Sequence, residues 1–405
     1  MSKSLPGAIV LGLDSAIGLT IIRELGGHGV AVHGVGRGAG AIGAASRYCT
    51  SATERPKGAI ADWLPGLIAA TGARALLATS ETDLMELAAL PQTIDGCHIL
   101  TPRSAQLEQV IDKGRTLAVA ASVGLLVPQT WQPAEGDDFA ARAADLLYPL
   151  VAKWARPPQA IALLEQAGLE WIKAEYVRTP DQLLALLERY RPIGRWPLIQ
   201  QYCGGVGLGQ MLYMEEGQAT LRFQHRRLHE WPPEGGVSTL CQAEPLQRHR
   251  SQMASSEQLL RALRWDGPAM VEYRYEAESG RYWLMEVNGR FWGSLPLAWH
   301  CGACFAWESY RRVVLGERDP APLPRGDLRA RYMIPETKRL ARLLLARDRI
   351  GDPFFRARPL ADLAGYFLAF LDPRMRYYVF LWRDPGPWLR DMVQGFRKAL
   401  RRERR

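Results

Sequence analysis

The sequence predicts a mixed α/β chain of two or three domains, and three features predict it. Strand and helix signals alternate over roughly the first 100 residues, the pattern of a parallel α/β unit. Two stretches further on alternate in hairpin fashion, the pattern of antiparallel sheet. The length of 405 residues exceeds what one ordinary core organises. A composition of 47% hydrophobic and 23% charged residues is that of a folded, water-soluble chain.

In chain order, "GAIVLGL" (7–13) is a short apolar run followed by Asp14, Ser15 and "AIGLTIIREL", which has helical spacing. "GVAVHGVGR" (29–37) and "ARALLATS" (73–80) are strand-like in the same way, and "ETDLMELAAL" forms a helix behind the second. Ligands of parallel sheets bind beyond the carboxyl ends of the strands, where Asp14, Arg37, Ser80 and Glu81 fall. The opening "MSKSLPGAIVLGLDSAIGL" mimics a signal peptide, but Asp14 interrupts its apolar part and it reads as a strand and turn. "QLEQVIDKGRTLAVAASVGLLVPQT" reads as a helix ending at Gly124, then a turn through Pro128. "YPLVAKWARP" (148–157) is a strand whose last polar residue is Lys153. "WIKAEYV" and "PLIQQYCGG" are further strands, separated by the helix "TPDQLLALLERY" with its Thr cap and Pro. "GQMLYMEEGQATLRFQHRRLHEW" reads as a hairpin turning at Glu216 and Gly217, and "PAMVEYRYEAESGRYWLMEVN" as a second turning at Ser279 and Gly280.

That second hairpin carries the chemistry. Glu286 and Asn288 share one face of its second strand, and Glu272 should meet them across the ladder. Three oxygen-bearing side chains without His or Cys are hard ligands, suited to Mg²⁺ shared with substrate phosphates and unsuited to zinc. The alternative is that both glutamates are solvated residues of a half-exposed strand. Upstream, Lys113 in "IDKGR" and Lys153 stand in a stretch poor in lysine. A lysine at the tip of an apolar strand is costly unless it is paired or faces a ligand, and a polyphosphate is a natural one. "LIQQYCGGVGLG" adds strand amides and a Gly-rich turn, which suit an adenine edge and a closing site.

Taken in order, these motifs resemble the ATP-grasp superfamily, most closely its carboxylate–amine ligase branch, over residues 5 to 315. "IVLGLDSAIGLTIIRELGGHGVAVHGVGR" with "ASRYCTS" is similar to the Rossmann-like pre-ATP-grasp domain. "DKGRTLAVAASVGLLVPQT" resembles the entry to the grasp, "PLVAKW" its central lysine strand and "PLIQQYCGG" its hinge strand. "GPAMVEYRY" with "YWLMEVNGRFWGSLPLA" resembles its metal-binding end. The resemblance implies a pre-ATP-grasp domain over 1–110 and a two-subdomain ATP-grasp fold over 111–318, with subdomains at about 125–200 and 201–318. A basic, mainly helical extension over 319–405 would follow.

The resemblance also implies roles. Lys113 and Lys153 would contact the phosphates of ATP, and Lys173 precedes a strand that often does so. Gln201 and Tyr202 would lie beside the adenine, with hinge backbone groups reading its edge. Glu272, Glu286 and Asn288 would hold Mg²⁺, or Mn²⁺ in its place, with Glu286 as the bridge. Arg290 would neutralise the transferring phosphoryl group or the acceptor carboxylate, and Arg227 would meet the acyl phosphate or substrate carboxylate. The activity implied is ATP-dependent ligation of a carboxylate to an amine through an acyl phosphate. Such chemistry rests on positioning and charge neutralisation.

Three departures from the family pattern are visible. "RPPQAIALLEQAGLE" stands where a glycine-rich phosphate loop is common, Gln201 where Glu is common, and Gly289 where Pro is usual, which should loosen that turn. They keep a catalytically degenerate, nucleotide-binding member as an alternative. An NAD-dependent oxidoreductase is disfavoured, because "GLDSAIG" lacks the G-x-G-x-x-G spacing.

Charge is unevenly placed. Residues 321–405 hold 20 Lys/Arg against 9 Asp/Glu, a net +11, whereas the first 320 hold 31 against 33. The tail "RYYVFLWRDPGPWLRDMVQGFRKALRRERR" interleaves aromatics with arginines, so an anionic membrane or acidic polymer would meet it there. The blander alternative is a helical layer on the grasp core with a solvated basic end. No nucleic-acid module accompanies the charge. Six scattered cysteines suit a reducing, cytoplasmic compartment, and "HCGAC", with Cys301 and Cys304, reads as buried structural thiols ahead of a helix. Trp292, Trp299 and Trp307 should pack that helix onto the sheet. Substrates would be a small or polymer-linked carboxylate and an amine.

Overall fold

The computed structural model describes residues 4–403, apart from 39, 156, 173 and 353; the side chains of 157–159 and 396–403 lie outside that description. Lys173 is therefore outside the described residues. The N-terminal sheet holds β1 (Ala8–Leu11), β2 (Val32–Gly36), β3 (Ser51–Glu54), β4 (Ala75–Ala78), β5 (Thr93–Ile94) and β6 (Cys97–Ile99), in the order β3-β2-β1-β4-β6-β5. All neighbours run parallel except β5 against β6. The helices α1 (Ala16–Gly27), α2 (Ile60–Thr71) and α3 (Glu81–Ala88) connect its strands. The side-chain oxygen of Ser15 caps α1 by accepting from the Gly18 N–H at 3.0 Å. Gly12, with φ +128°, and Gly18 let the helix start press on the strand end, since a Cβ on Gly18 would lie 2.0 Å from the Gly12 carbonyl oxygen.

The single helix expected up to Gly124 is two, α4 (Ser104–Ile111) and α5 (Lys113–Ser122). Asp112 breaks it: its carboxylate accepts from the Arg115 N–H at 3.0 Å and caps a new helix. A side chain that caps competes with continuing the turn, and Lys113 becomes the first residue of α5. A four-stranded antiparallel sheet follows, of β7 (Thr130–Trp131), β8 (Leu150–Lys153), β9 (Glu175–Val177) and β10 (Leu198–Gln201), in the order β7-β10-β8-β9. It carries α6 (Phe139–Asp145), α7 (Pro157–Gln166) and α8 (Pro180–Tyr190). Its core, built around Trp131, Trp154, Leu187, Tyr190, Trp196 and Ile199, is separate from those of the other sheets.

The third sheet has seven strands in the order β15-β14-β11-β12-β13-β16-β17. In chain order its region comprises β11 (Val206–Glu215), β12 (Gln218–Trp231), β13 (Val237–Ala243), α9 (Arg250–Ala262), β14 (Gly267–Glu276), β15 (Arg281–Asn288), α10 (Leu295–His300), α11 (Phe305–Val313), β16 (Arg329–Arg331), α12 (Met333–Leu345), α13 (Pro359–Leu368), β17 (Met375–Tyr377) and α14 (Gly386–Glu403). The two hairpins turn where their sequence places them, at Glu216-Gly217 and before Arg281. One face of the sheet packs Leu208, Val271, Tyr273 and Leu284 with α9 and one side of the N-terminal sheet; the other packs Met211, Phe223 and Cys241 with α10, α11 and α1.

The last segment is not helical alone. β16 pairs antiparallel with β13, and β17 runs parallel beside β16. Three-residue strands give too short a pattern to read in sequence. Cys301 is buried and Cys304 half-buried, and burial pushes both thiols up, Cys301 to about 12. Trp292 packs edge-on against Phe305, whereas Trp307 stacks at 4.0 Å on His28, the residue that ends α1, and so ties α11 to the N-terminal sheet.

Beside it, Glu24 of α1 is buried and accepts from the Trp307 N–H at 2.7 Å. Burial raises its carboxyl from 4.5 to about 8, with the Trp307 N–H opposing. The folded chain therefore binds a proton there that the unfolded chain releases, so stability should fall as pH rises from 4.5 to about 8 and level off above. Urea midpoints across this range should decline in the wild type and stay flatter in Glu24→Gln.

Candidate active site

The site lies where the four-stranded sheet faces the large one. A cleft of about 600 Å³ there is lined by Lys113, Lys153, Gln201, Tyr202, Arg227, Glu272 and Glu286 among others. Seven residues from six separate stretches of the chain thus converge on one space. Asn288 stands beside it, its Nδ2 donating to Glu286 Oε1 at 3.1 Å. Arg290 is not among the residues lining the cleft; its guanidinium donates to the Phe291 carbonyl at 3.1 Å.

Register explains the carboxylate pair. Glu272 lies directly opposite Glu286, and Met270 opposite Asn288. On the turn side of the Glu272–Glu286 pair a bulge leaves Met285 without a partner, so that Tyr273 faces Leu284. Without that extra residue Leu284 would share the face of Glu286; with it, Leu284 enters the core.

Each carboxylate is held by a cation. Lys113 Nζ is 3.2 Å from Glu286 Oε2, and Arg227 pairs closely with Glu272 and lies 3.5 Å from Glu230. Burial alone would raise Glu286, but Lys113 and the Asn288 amide outweigh it and keep it well below the usual carboxylate range. Glu272 moves the other way, raised by burial and by Glu286 against the pull of Arg227. Two carboxylates face to face repel, and a divalent cation between them would relieve both.

The donor set fits a hard cation in part. Two glutamates and an amide oxygen match what Mg²⁺ takes from protein when phosphates and water complete its shell. Among the described residues no group of three or more His, Cys, Asp or Glu could hold a metal by itself. The residues therefore fit a cation shared with a ligand and do not fit a closed protein cage.

The side chain of Lys153, the last residue of β8, makes no hydrogen bond or ion pair among the described residues. Burial lowers its ammonium to about 8, Lys113 adds to the lowering, and Glu286 opposes it. A half-buried, unpaired lysine in a cleft is primed for an anion. In place of a glycine-rich loop, the chain between β8 and β9 forms the helix α7.

At the hinge, the Gln201 N–H donates to the Gln129 carbonyl at 2.8 Å and the Tyr202 N–H to the Pro149 carbonyl at 3.0 Å. These two backbone amides are thus engaged within the protein. The Tyr202 ring lies 4.4 Å from Phe354 and 6.1 Å from Tyr176. Sequence reading missed Phe354, and with it Asp352 and Arg356, which reach the cleft from the C-terminal segment. The Gly351 N–H fixes that segment by donating to Glu234 Oε1 at 3.0 Å. The "DPFFR" run offered an aromatic pair, but nothing local said where it would fold. Gly289 also differs from expectation. A Cβ there would lie 2.2 Å from Trp265 and 2.8 Å from Val110, so glycine lets the turn press on α4 and tightens it.

No protein-family model matches the chain, and no curated protein does. Solved structures do. N5-carboxyaminoimidazole ribonucleotide synthetase from Thermus thermophilus matches with a TM-score of 0.59 at 16% identity, over 80% of this chain and 82% of that one. An ADP complex of a synthetase with the same name matches with a TM-score of 0.59 at 12% identity, over 81% of each chain. The chain has an ATP-grasp fold. The biotin carboxylase domain of Hydrogenobacter thermophilus 2-oxoglutarate carboxylase, solved with MgADP, ADP and bicarbonate, matches with a TM-score of 0.58 at 15% identity, over 80% of this chain and 73% of that one. Against Rhizobium etli pyruvate carboxylase this chain spans 30% of the other's length, with a TM-score of 0.58 at 14% identity.

Proposed function

We propose that the protein is an ATP-dependent ligase that joins a carboxylate to an amine through an acyl phosphate. The observation that supports it most is the convergence of Lys113, Lys153 and Arg227 on the facing Glu272–Glu286 pair in one cleft of an ATP-grasp fold. In this reading Lys153 and Lys113 bind the triphosphate, while Tyr202, with Phe354 against it, flanks the base. Glu272, Glu286 and Asn288 would hold Mg²⁺, which supplies charge neutralisation between phosphates when bound. A substrate carboxylate oxygen attacks the γ-phosphorus and ADP leaves; the amine nitrogen then attacks the acyl carbon, loses a proton, and phosphate leaves. Arg227, between Glu230 and Glu272, stands where it can orient the carboxylate, and Arg290 would act through the phosphoryl group only after a shift of its side chain. The substrate pair is a small or polymer-linked carboxylate and an amine.

ATP binding followed by calorimetry, then ADP release screened over pairs of carboxylates and amines, tests this. Release that needs both partners supports it; no nucleotide binding at any Mg²⁺ concentration sinks it. A second reading, nucleotide binding without turnover, draws on the helix α7 in place of a phosphate loop, and binding without release under every pair would favour it.

Lys153 supplies a further test. A triphosphate beside it would raise its ammonium from about 8. A group whose pKa rises on binding takes up a proton, so affinity is full below pH 8 and declines above it. At a pH just above 8, ATP binding should take up roughly half a proton, seen as a dependence of the heat on buffer, and Lys153→Met should abolish the uptake.

A further inference from the structure

A helix with no fully buried residue is left unused by the ligase reading. α13 and the turn after it, "PLADLAGYFLAFL" (359–371), hold one charged residue, Asp362, yet no residue of α13 is buried. Leu360 is 82% exposed, Phe367 61% and Leu371 79%. An ordinary surface helix turns its charges outward; this one presents leucine and phenylalanine to water.

The apolar surface continues beyond the helix. Ring contacts run from Tyr366 to Phe370 at 5.9 Å, to Tyr377 at 6.3 Å, to Phe380 at 6.1 Å and on to Trp382 at 4.8 Å. Trp382 is 86% exposed. Phe380 also meets Trp388 of α14, where Leu389, Met392 and Val393 are exposed with the spacing of one helix face. A contiguous patch of this extent marks an interaction site.

Its surroundings are basic. Exposed Arg347, Arg349, Arg356 and Arg358 precede α13, and exposed Arg374 and Arg383 follow it. Three nearby acids are already matched, Asp362 to Arg339 at 2.9 Å, Asp372 to Arg374 at 3.3 Å and Asp384 to Arg23 at 2.9 Å, which leaves Asp348 and Asp352 against the remaining arginines. The whole segment from 321 onward is net +11.

We propose that this face docks the protein on an anionic phospholipid surface. α13 would lie in the interface plane, with Trp382 and the phenylalanines at headgroup depth and the arginines on lipid phosphates. No helix among the described residues is long and apolar enough to cross a membrane, and the contact proposed is a peripheral one. A second copy fits less well: a two-fold contact would set this basic face against itself. Phe354 and Arg356, which line the cleft, directly precede α13, so docking would hold the cleft near the bilayer.

Flotation of the full chain with vesicles of phosphatidylcholine, with and without phosphatidylglycerol, tests this without reference to any enzymatic activity. Binding should require the anionic lipid and weaken about tenfold or more at high salt. Leu371→Glu combined with Trp382→Glu, both side chains exposed, should lower the bound fraction about tenfold while melting temperature and nucleotide binding stay unchanged. Equal binding by that variant, or no binding to anionic vesicles, overturns the proposal. A dimer in sedimentation that the same variant splits overturns it as well, and assigns the face to a second copy.

Discussion

Glu286→Ala is expected to weaken Mg²⁺-ATP binding by about 100-fold, or ~2.7 kcal/mol, and to reduce ADP release at least as far. Glu286 stands where three interactions meet: Lys113 at 3.2 Å, Asn288 at 3.1 Å and Glu272 directly across the ladder. It is also the carboxylate that its neighbours keep ionised, and so the one ready to hold a cation. Its loss would remove a metal ligand and leave Lys113 without its partner. Binding should be measured with and without Mg²⁺. The wild type should gain strongly from the metal, the variant little, and metal-free ATP should bind both alike. If the variant binds Mg²⁺-ATP as well as the wild type, the carboxylate pair holds no cation and the ligase reading loses its support. Glu286→Gln separates charge from shape, since the amide keeps a partner for Asn288 but should recover little of the metal gain.

What the sequence disclosed about this cleft depended on periodicity. Strand alternation fixes which residues share a face, so Glu286 and Asn288 are placed together by counting, and the hairpin turn brings Glu272 near them; counting back from the Glu276–Arg281 pair, however, sets Glu272 opposite Met285, and only the bulge moves it opposite Glu286. Lys153 is legible for a different reason, because a charge ending an apolar strand needs a ligand. The break at Asp112 is less legible, since capping there competes with an otherwise continuous helical pattern. The bulge at Met285 is not legible: it moves the partner of Glu272 from Met285 to Glu286 without altering local composition. Phe354 lies 152 positions beyond Tyr202, and no local pattern links the two rings. Gly289 shows the remaining limit, since its tight packing on Trp265 is a tertiary contact that a departure from family pattern could not reveal.

The C-terminal segment reaches the N-terminal sheet through a buried ion pair, and breaking that pair should cost about 3–5 kcal/mol of stability. Arg23 of α1 and Asp384 are 1% and 2% exposed, with Arg23 Nε 2.9 Å from Asp384 Oδ2. Asp384 also accepts from Ser46 Oγ at 2.7 Å and from the Arg47 N–H at 2.8 Å, and Arg23 Nη2 donates to the Val379 carbonyl at 2.8 Å. Burial lowers the Arg23 guanidinium against the pull of Asp384, so removing the aspartate strands a desolvated cation. Asp384→Ala should therefore lower the urea midpoint sharply. Arg23→Leu with Asp384→Leu should recover most of the loss, because the stranded charge goes with its partner, and the remainder of the cost belongs to Ser46 and Arg47. An unchanged midpoint in Asp384→Ala would mean that β17 and α14, rather than this pair, hold the segment in place. A large loss that the double variant does not repair would assign the cost to the hydrogen bonds that Asp384 accepts and not to the charge of Arg23.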